Sequence, residues 1–357
     1  MDKLQHFPNQ TVDHIDHPSQ AKPGIHVFPD RLHVVTMLEN PMRWRSRYQN
    51  YWTFQRHVEQ AGAILYTAEI AFGGRAFEIT DPANPRHLQL RTACEVWHKE
   101  NALNLMVQRL PRDWKYVAWI DADVTFARPD WAQETLHLLQ HWDVIQMFSQ
   151  VHNLGPDYGV LTNRGSFMWN FVNNREAPHH PNFSQHPLGT HTPNPGYSGA
   201  GRGRWQHTGF AWAARRSAFD QLGGLMDHAI LGSGDYHMAT ALIGNVELSL
   251  NNEFPKRYTE LCKVWENRAA MIRNNPNGGV GFMPGAILHH FHGTTKNRSY
   301  NQRWKLLARC DFNPDLDLRR DNQGLWQLSG RNPELRDGLR AYSRLRNEDD
   351  INTEGML

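Results

Sequence analysis

Lys115-Tyr116-Val117-Ala118-Trp119-Ile120-Asp121-Ala122-Asp123-Val124 decides how this chain is read. A short apolar run ends in two carboxylates one residue apart, which reads as a buried strand running out into polar ground. Side chains alternate along a strand, so residues two apart point the same way, and Asp121 and Asp123 aim at one point beyond the strand end. Two hard oxygen donors suit Mg²⁺ or Mn²⁺, an ion that shares its shell with substrate phosphates. In open α/β sheets ligands bind beyond the carboxyl ends of strands, so the pair stands where a nucleotide diphosphate would lie.

Upstream, Leu32–Met37 reads as a strand and Trp44–Gln60 as a helix, with Trp44, Tyr48, Tyr51, Trp52 and Val58 near helical spacing. Ala63–Ala68 reads as a second strand with Glu69 at its end, and Trp97–Leu110 as a helix stopped before Pro111. Downstream, Asp130 reads as the N-cap of Trp131–Gln140, and Val144–Phe148 as a fourth strand. Strands alternating with helices predict an α/β fold with a mostly parallel central sheet and helices on both faces. From His152 to Gln206 the chain is crowded with Asn, Pro, Gly and His and shows little periodicity, which predicts a functional or mobile segment. Order returns with a strand at His207–Ala214, a short helix from Arg215 broken at Gly223-Gly224, and a helix at Asp235–Leu242. A last strand reads over Ala286–His292, and the tail from Tyr300 is charged, with one helix to about Ala308.

The 357 residues suffice for one large domain or two ordinary ones. The formal net charge of +2 provides no global field toward nucleic acid or anionic membrane. No apolar stretch is long enough to span a bilayer, and Met1–Pro23 lacks the apolar run of a secretory signal. Cys94, Cys262 and Cys310 are far apart and odd in number, which fits neither a disulfide framework nor a zinc site. The expectation is a soluble, cytoplasmic protein of a reducing compartment; nothing in the composition sets its oligomeric state.

Four segments in order resemble a glycosyltransferase of the GT-A fold, in its β-galactosyltransferase-like, family 2-like branch. Asp121-Ala122-Asp123 resembles that fold's DxD signature. Trp97-His98-Lys99-Glu100-Asn101-Ala102-Leu103-Asn104 resembles the branch's Phe-Asn-Arg-Ala-Lys-Leu-Leu-Asn helix, with Lys99 in place of a phosphate-facing arginine. Gly209 to Asp235 is similar to its run of a glycine, a small-residue strand, a helix, a Gly-Gly turn and a closing acidic motif. Here that motif is Gly232-Ser233-Gly234-Asp235, where the family usually shows Gly-Glu-Asp, so the glutamate is missing. His289-His290-Phe291-His292 falls where the family often places a third metal ligand. The resemblance spans roughly Leu32 to Arg303 and implies a GT-A-like, Rossmann-like domain over residues 26–299, with an acceptor-side insertion at 150–206. A flexible tail (1–25) and a C-terminal helical extension (300–357) flank it. It also implies a nucleotide-sugar donor, a divalent ion and hexosyl or pentosyl transfer to a hydroxyl.

The chemistry assigns roles residue by residue. Breaking a sugar–diphosphate bond leaves a doubly charged leaving group, and a metal bridging its phosphates neutralises that charge. Asp123 is the direct ligand; Asp121 holds the metal through water or binds the ribose. On a continuing strand His290 and His292 share one face and His289 takes the other, which favours His292 as the third ligand and His290 after it. Imidazole suits Mn²⁺ better than Mg²⁺. The UDP-sugar donor would be gripped by Lys99, by Lys296, Arg298 and Tyr300 closing over the diphosphate, by Arg43 or else Arg45 or Arg47 just past the first strand, on a phosphate or the base, and by Glu69 on base or ribose. The bland readings of these are exposed polar groups. Asp235 is the candidate base that takes the acceptor's proton, implying inversion, with His237 in reserve; a helix N-cap is the competing role for Asp235. Trp205, Phe210 and Trp212 are candidates to stack on the acceptor, or core residues. Arg164, Arg175, Arg202 and Arg204 bias this region positively, so the acceptor is a glycan or a modified nucleic-acid base. The rivals are a metallohydrolase using the same acidic and histidine residues, and a non-catalytic nucleotide-sugar or nucleic-acid binding module.

Overall fold

Apolar runs without helix or strand breakers form the centre of the chain, and the polar ends of those runs meet at one edge. The computed structural model describes residues 30–173, 207–250, 253–298 and 303–351. The chain runs β1 (Leu32–Glu39), α1 (Arg45–Gln60), β2 (Ile64–Phe72), β3 (His87–Thr92), α2 (Lys99–Val107), β4 (Tyr116–Ile120), β5 (Val124–Phe126), α3 (Trp131–Leu138) and β6 (Val144–Gln146). β7 (Gln150–Leu154), β8 (Val160–Gly165) and α4 (Phe167–Val172) follow. The second half holds β9 (Ala211–Arg215), α5 (Arg216–Leu222), α6 (Gly234–Leu242), α7 (Lys256–Arg273), β10 (Val280–Phe282) and β11 (Ala286–His289). α8 (Trp304–Arg309), α9 (Pro314–Asp317), β12 (Leu318–Arg320), β13 (Trp326–Leu328) and α10 (Pro333–Leu345) complete it.

The main sheet has the order β10-β6-β9-β4-β1-β2-β3. It is parallel except for β9, which lies antiparallel between β6 and β4. Alternation sends successive residues to opposite faces. Val35, Val117 and Trp119 pack with Ala102, Leu103 and Met106 of α2 and with Leu222, Met238 and Trp265 of α5, α6 and α7. Val34, Ala118 and Ile120 pack with Phe54 and Val58 of α1 and Trp131 of α3. Both faces are covered, which is why β4 reads as a continuous apolar run rather than an alternating one. This is the α/β arrangement the sequence predicts. α8 and α10 add Trp304, Leu306, Leu307, Leu335 and Leu339 to the first core.

A smaller sheet, β5-β11-β7-β8, positions the site. β5 starts one residue after Asp123, and its antiparallel pairing with β11 sets His289 opposite Val124. The His290 N–H donates to the Asp123 carbonyl at 2.8 Å, so the register locks the histidine segment to the acidic motif.

Several expectations change in detail. The segment read as aperiodic from His152 begins with a β7–β8 hairpin and α4; the uneven burial of those strands hides any two-residue period. The last strand stops at His289 instead of His292. Asp130 holds the N-cap position of α3, yet its carboxylate binds Arg128 instead of the helix N–H groups. The tail holds a hairpin and two further helices beyond the one expected. All three cysteines are free, and no described helix is long and apolar enough to cross a membrane.

Candidate metal and donor site

Asp123, His289 and His292 converge. The Asp123 Oδ2 lies 2.9 Å from His292 Nε2 and 3.9 Å from His289 Nε2, and the two imidazole nitrogens are 3.2 Å apart. Among the described residues this is the group of three whose donor atoms gather closely enough to hold a metal ion. The strand's end explains it. Alternation would have set His289 and His292 on opposite faces, but β11 terminates at His289 and the irregular residues after it leave His292 beside it. His290 points elsewhere: its Nε2 lies 3.1 Å from Thr125 Oγ1. His289 is thus the residue that the two-residue period misplaces.

Ligands bound at about 2.1 Å lie about 3.0–3.4 Å from one another in octahedral or tetrahedral sites, close to the 2.9 Å and 3.2 Å separations here, while the 3.9 Å between Asp123 and His289 is wider. Each ring's second nitrogen is engaged. His289 Nδ1 lies 2.9 Å from Asn153 Oδ1 and His292 Nδ1 lies 3.3 Å from Glu348 Oε2, two acceptors for an Nδ1–H, and both rings turn Nε2 inward. Asp123 Oδ1 is buried with no hydrogen-bond partner, an acceptor that a cation would satisfy. Burial holds His289 well below its ordinary pKa, against the pull of Asp123, so the ring stays neutral. Burial alone would raise the Asp123 carboxyl, but His292, then His289 and Arg298, hold it well below the usual carboxylate range. These residues fit a divalent cation. The Arg298 Nη2 is 3.0 Å from His292 Nε2, so one guanidinium of the expected basic segment stands at this centre.

The other half of the motif faces differently. Asp121 Oδ1 is 2.5 Å from Lys99 Nζ at the start of α2, and its N–H donates to the Phe210 carbonyl at 2.7 Å. Burial raises the Asp121 carboxyl, with Lys99 opposing. Burial would also lower Lys99, but Asp121, Glu100 and Asp235 together raise it, so it remains an ammonium. Glu100, absent from the sequence reading, completes the group: burial, against the pull of Lys99, pushes its carboxyl up to about 8, and Asp235 adds to the rise. It packs against Gly234, where a Cβ would meet its Cδ at 2.9 Å. Asp235 lies in the first turn of α6, whose N-cap position belongs to Ser233, and accepts a hydrogen bond from Thr208 Oγ1 at 3.4 Å.

Phe210 stands beside the centre, its ring 4.7 Å from that of His289 and 5.3 Å from that of His207. Trp212 is buried in the main core and donates its indole N–H to the Thr208 carbonyl. His237 has 0% exposure; it bonds Ser249 and is enclosed by Phe254, Tyr258 and Trp304. Glu69 is equally occupied, accepting from the N–H groups of Glu78, Ile79 and Thr80 and from the Thr80 hydroxyl, so it shapes that loop. Arg43 is exposed and pairs with Glu78. Trp205, Tyr300, Arg175, Arg202, Arg204 and the side chain of Lys296 lie outside the described residues.

No family profile and no curated protein sequence matches this chain. Among solved structures it is similar to the catalytic domain of Drosophila β1,4-galactosyltransferase 7 in complex with xylobiose, at 12% identity over 83% of this chain and 91% of that one, TM-score 0.33. A mutant of that enzyme complexed with manganese, UDP-Gal and xylobiose gives 13% identity, 83% and 91% coverage and a TM-score of 0.32. A protein of Desulfovibrio desulfuricans described as a nucleotide-diphospho-sugar transferase gives 11% identity, 91% and 100% coverage and a TM-score of 0.29. At TM-scores of 0.33 and below, the likeness is too loose to carry an argument about this chain.

Proposed function

We propose that the chain is a metal-dependent glycosyltransferase that moves a hexosyl or pentosyl group from a UDP-linked donor to an acceptor hydroxyl. The observation that carries this reading is the gathering of Asp123, His289 and His292 at the carboxyl end of β4, with the Lys99 ammonium on the neighbouring carboxylate. When bound, a divalent ion there would supply Lewis-acid neutralisation of the departing diphosphate. Mn²⁺ is favoured over Mg²⁺ because two of the three donors are imidazoles.

The chain's own groups supply the rest. Lys99 and Arg298 bring fixed positive charge to the side where the diphosphate's charge grows as the anomeric C–O bond breaks. Asp235 removes the proton from the acceptor hydroxyl as that oxygen attacks, which inverts the anomeric centre. Phe210 offers a ring face to the acceptor beside the metal ligands. The acceptor is a glycan or a modified nucleic-acid base.

Thermal melting with a panel of UDP-sugars, with and without Mn²⁺, tests the proposal. The expected result is a rise in Tm with UDP-sugar that appears only when Mn²⁺ is present; at ligand concentrations about 100 times Kd the stabilisation is about 2.7 kcal/mol. A rise with metal to which UDP-sugar adds nothing would redirect the reading to a metallohydrolase. A rise with UDP-sugar that ignores metal would leave a binding module.

A further inference from the structure

The chain's last described segment reaches back into the metal centre. Glu348 is 1% exposed and lies 56 positions beyond His292, yet its Oε2 is 3.3 Å from His292 Nδ1. Two guanidiniums hold it in place: Arg47 donates from Nε to Oε2 at 2.5 Å and from Nη2 to Oε1 at 2.8 Å, and Arg346 donates from Nε to Oε1 at 2.6 Å. The neighbouring Asp349 accepts from the first N–H groups of α1, those of Arg45 at 2.8 Å and Ser46 at 2.9 Å, while the Ser46 hydroxyl donates to the Glu348 carbonyl at 3.0 Å. The strap also lies directly on the backbone after His292. Gly293 has φ of 80°, and a Cβ there would come within 2.8 Å of the Asn347 carbonyl oxygen and the Glu348 Cα. Residues 346–349 therefore tie the first turn of α1, just past the carboxyl end of β1, to a ring of the candidate metal site.

We propose that Glu348 is a positioning residue of this site: carried in by the C-terminal strap, its carboxylate fixes the orientation and tautomer of His292 so that Nε2 faces Asp123 and His289. The proposal rests on the metal reading above. A histidine that ligates through one nitrogen needs its other N–H held, and a carboxylate holds it more firmly than water while making the ring a better donor. His292 has Glu348 at its Nδ1, whereas His289 has Asn153 of the adjoining strand. The strap thus supplies from far along the chain what β7 supplies from the next strand.

The test uses the full chain. Long-range ¹H–¹⁵N spectra of the histidine rings without metal, assigned against His292→Asn, should show His292 protonated at Nδ1. Titration of Mn²⁺ by electron paramagnetic resonance should show Glu348→Gln binding about 10–100-fold more weakly than wild type, and Glu348→Asp recovering part of the loss. Wild-type and Glu348→Gln chains with equal Mn²⁺ affinity would overturn the proposal. So would equal losses in Glu348→Gln and Glu348→Asp that follow Tm, since that pattern marks a purely structural strap. If Glu348→Gln fails to fold, the wild-type spectrum still decides, because a His292 ring protonated at Nε2 alone or exchanging between tautomers contradicts a fixed orientation. A wild-type chain that binds no divalent cation would end the transferase reading, and the ring spectrum would then report separately on the hold of Glu348 over His292.

Discussion

Asp121 and Asp123 leave the same strand end two residues apart and enter opposite surroundings. The Asp123 side is a basin of nitrogen: two imidazoles and a guanidinium around one carboxylate, whose pKa they pull down against its burial. The Asp121 side is crowded with acid: burial and neighbouring carboxylates raise Asp121 and Glu100, and Lys99 is the cation that they and Asp235 share. One half is arranged to stay ionised and bind a cation. The other crowds carboxyl groups around one ammonium, so that Glu100 keeps its proton to about pH 8. Pairs of titratable groups driven apart by their surroundings are where acid, base and ligand roles separate.

The largest expected effect breaks the nitrogen side. Asp123→Ala should lower Mn²⁺ affinity by at least about 100-fold, equivalent to about 2.7 kcal/mol, while leaving the chain folded. Calorimetry showing undiminished Mn²⁺ binding would remove the distinction between the two aspartates. On the acidic side, Lys99→Met should weaken UDP-sugar binding by about tenfold and leave Mn²⁺ affinity within about threefold. It should also destabilise the fold. Removing one partner of a buried pair costs about 3–5 kcal/mol, which the 17% and 26% exposure of Lys99 and Asp121 reduces to about 1–3 kcal/mol, and adding Asp121→Asn should restore part of it.

A subtler difference lies in pH. Glu100 holds its proton to about pH 8 when folded, whereas an unfolded glutamate loses it near about 4.3. Between those values the folded chain binds more protons than the unfolded one, so this group's contribution is full below about 4.3 and is lost as pH rises toward 8. Glu100→Gln should therefore flatten the fall in Tm between pH 5 and pH 8, gaining on wild type at the upper end; parallel Tm profiles would show that Glu100 ionises normally. The smallest effect belongs to His290→Ala. With its ring on Thr125, its loss should change Mn²⁺ affinity by less than about twofold, and a larger drop would mean the histidine segment rearranges on binding.

The readable parts of this molecule are those governed by short-range rules. The helix expected at Trp44–Gln60 is α1 to within one residue, because Tyr51, Phe54 and Val58 repeat at helical spacing and Gly62 follows its end. The resemblance of its helix to that of the GT-A branch places Lys99 at the donor, and it lies 2.5 Å from Asp121. α7 carried an equally clear signal in Tyr258, Cys262, Trp265, Ala269 and Ile272, spaced by four and three, which the segment-by-segment reading does not use. β7 and β8 had no such signal, since their burial alternates poorly. His237 looked like a reserve base because it follows Asp235 by two, yet on a helix that spacing turns it about 200° away, into the aromatic core.

By itself the sequence determined an α/β chain with a carboxylate pair at a strand end, a helix carrying Lys99 before it and histidines late in the chain. Each follows from a period or a breaker acting over a few residues. Tertiary structure alone decided which histidines meet Asp123, because that depends on where β11 stops and on its register with β5. It alone brought Asn153 to His289 across 136 positions and Glu348 to His292 across 56. Side chains that far apart share no local pattern. They are placed by the packing of the sheets and by a buried ion-pair network whose partners become neighbours only after the chain has folded.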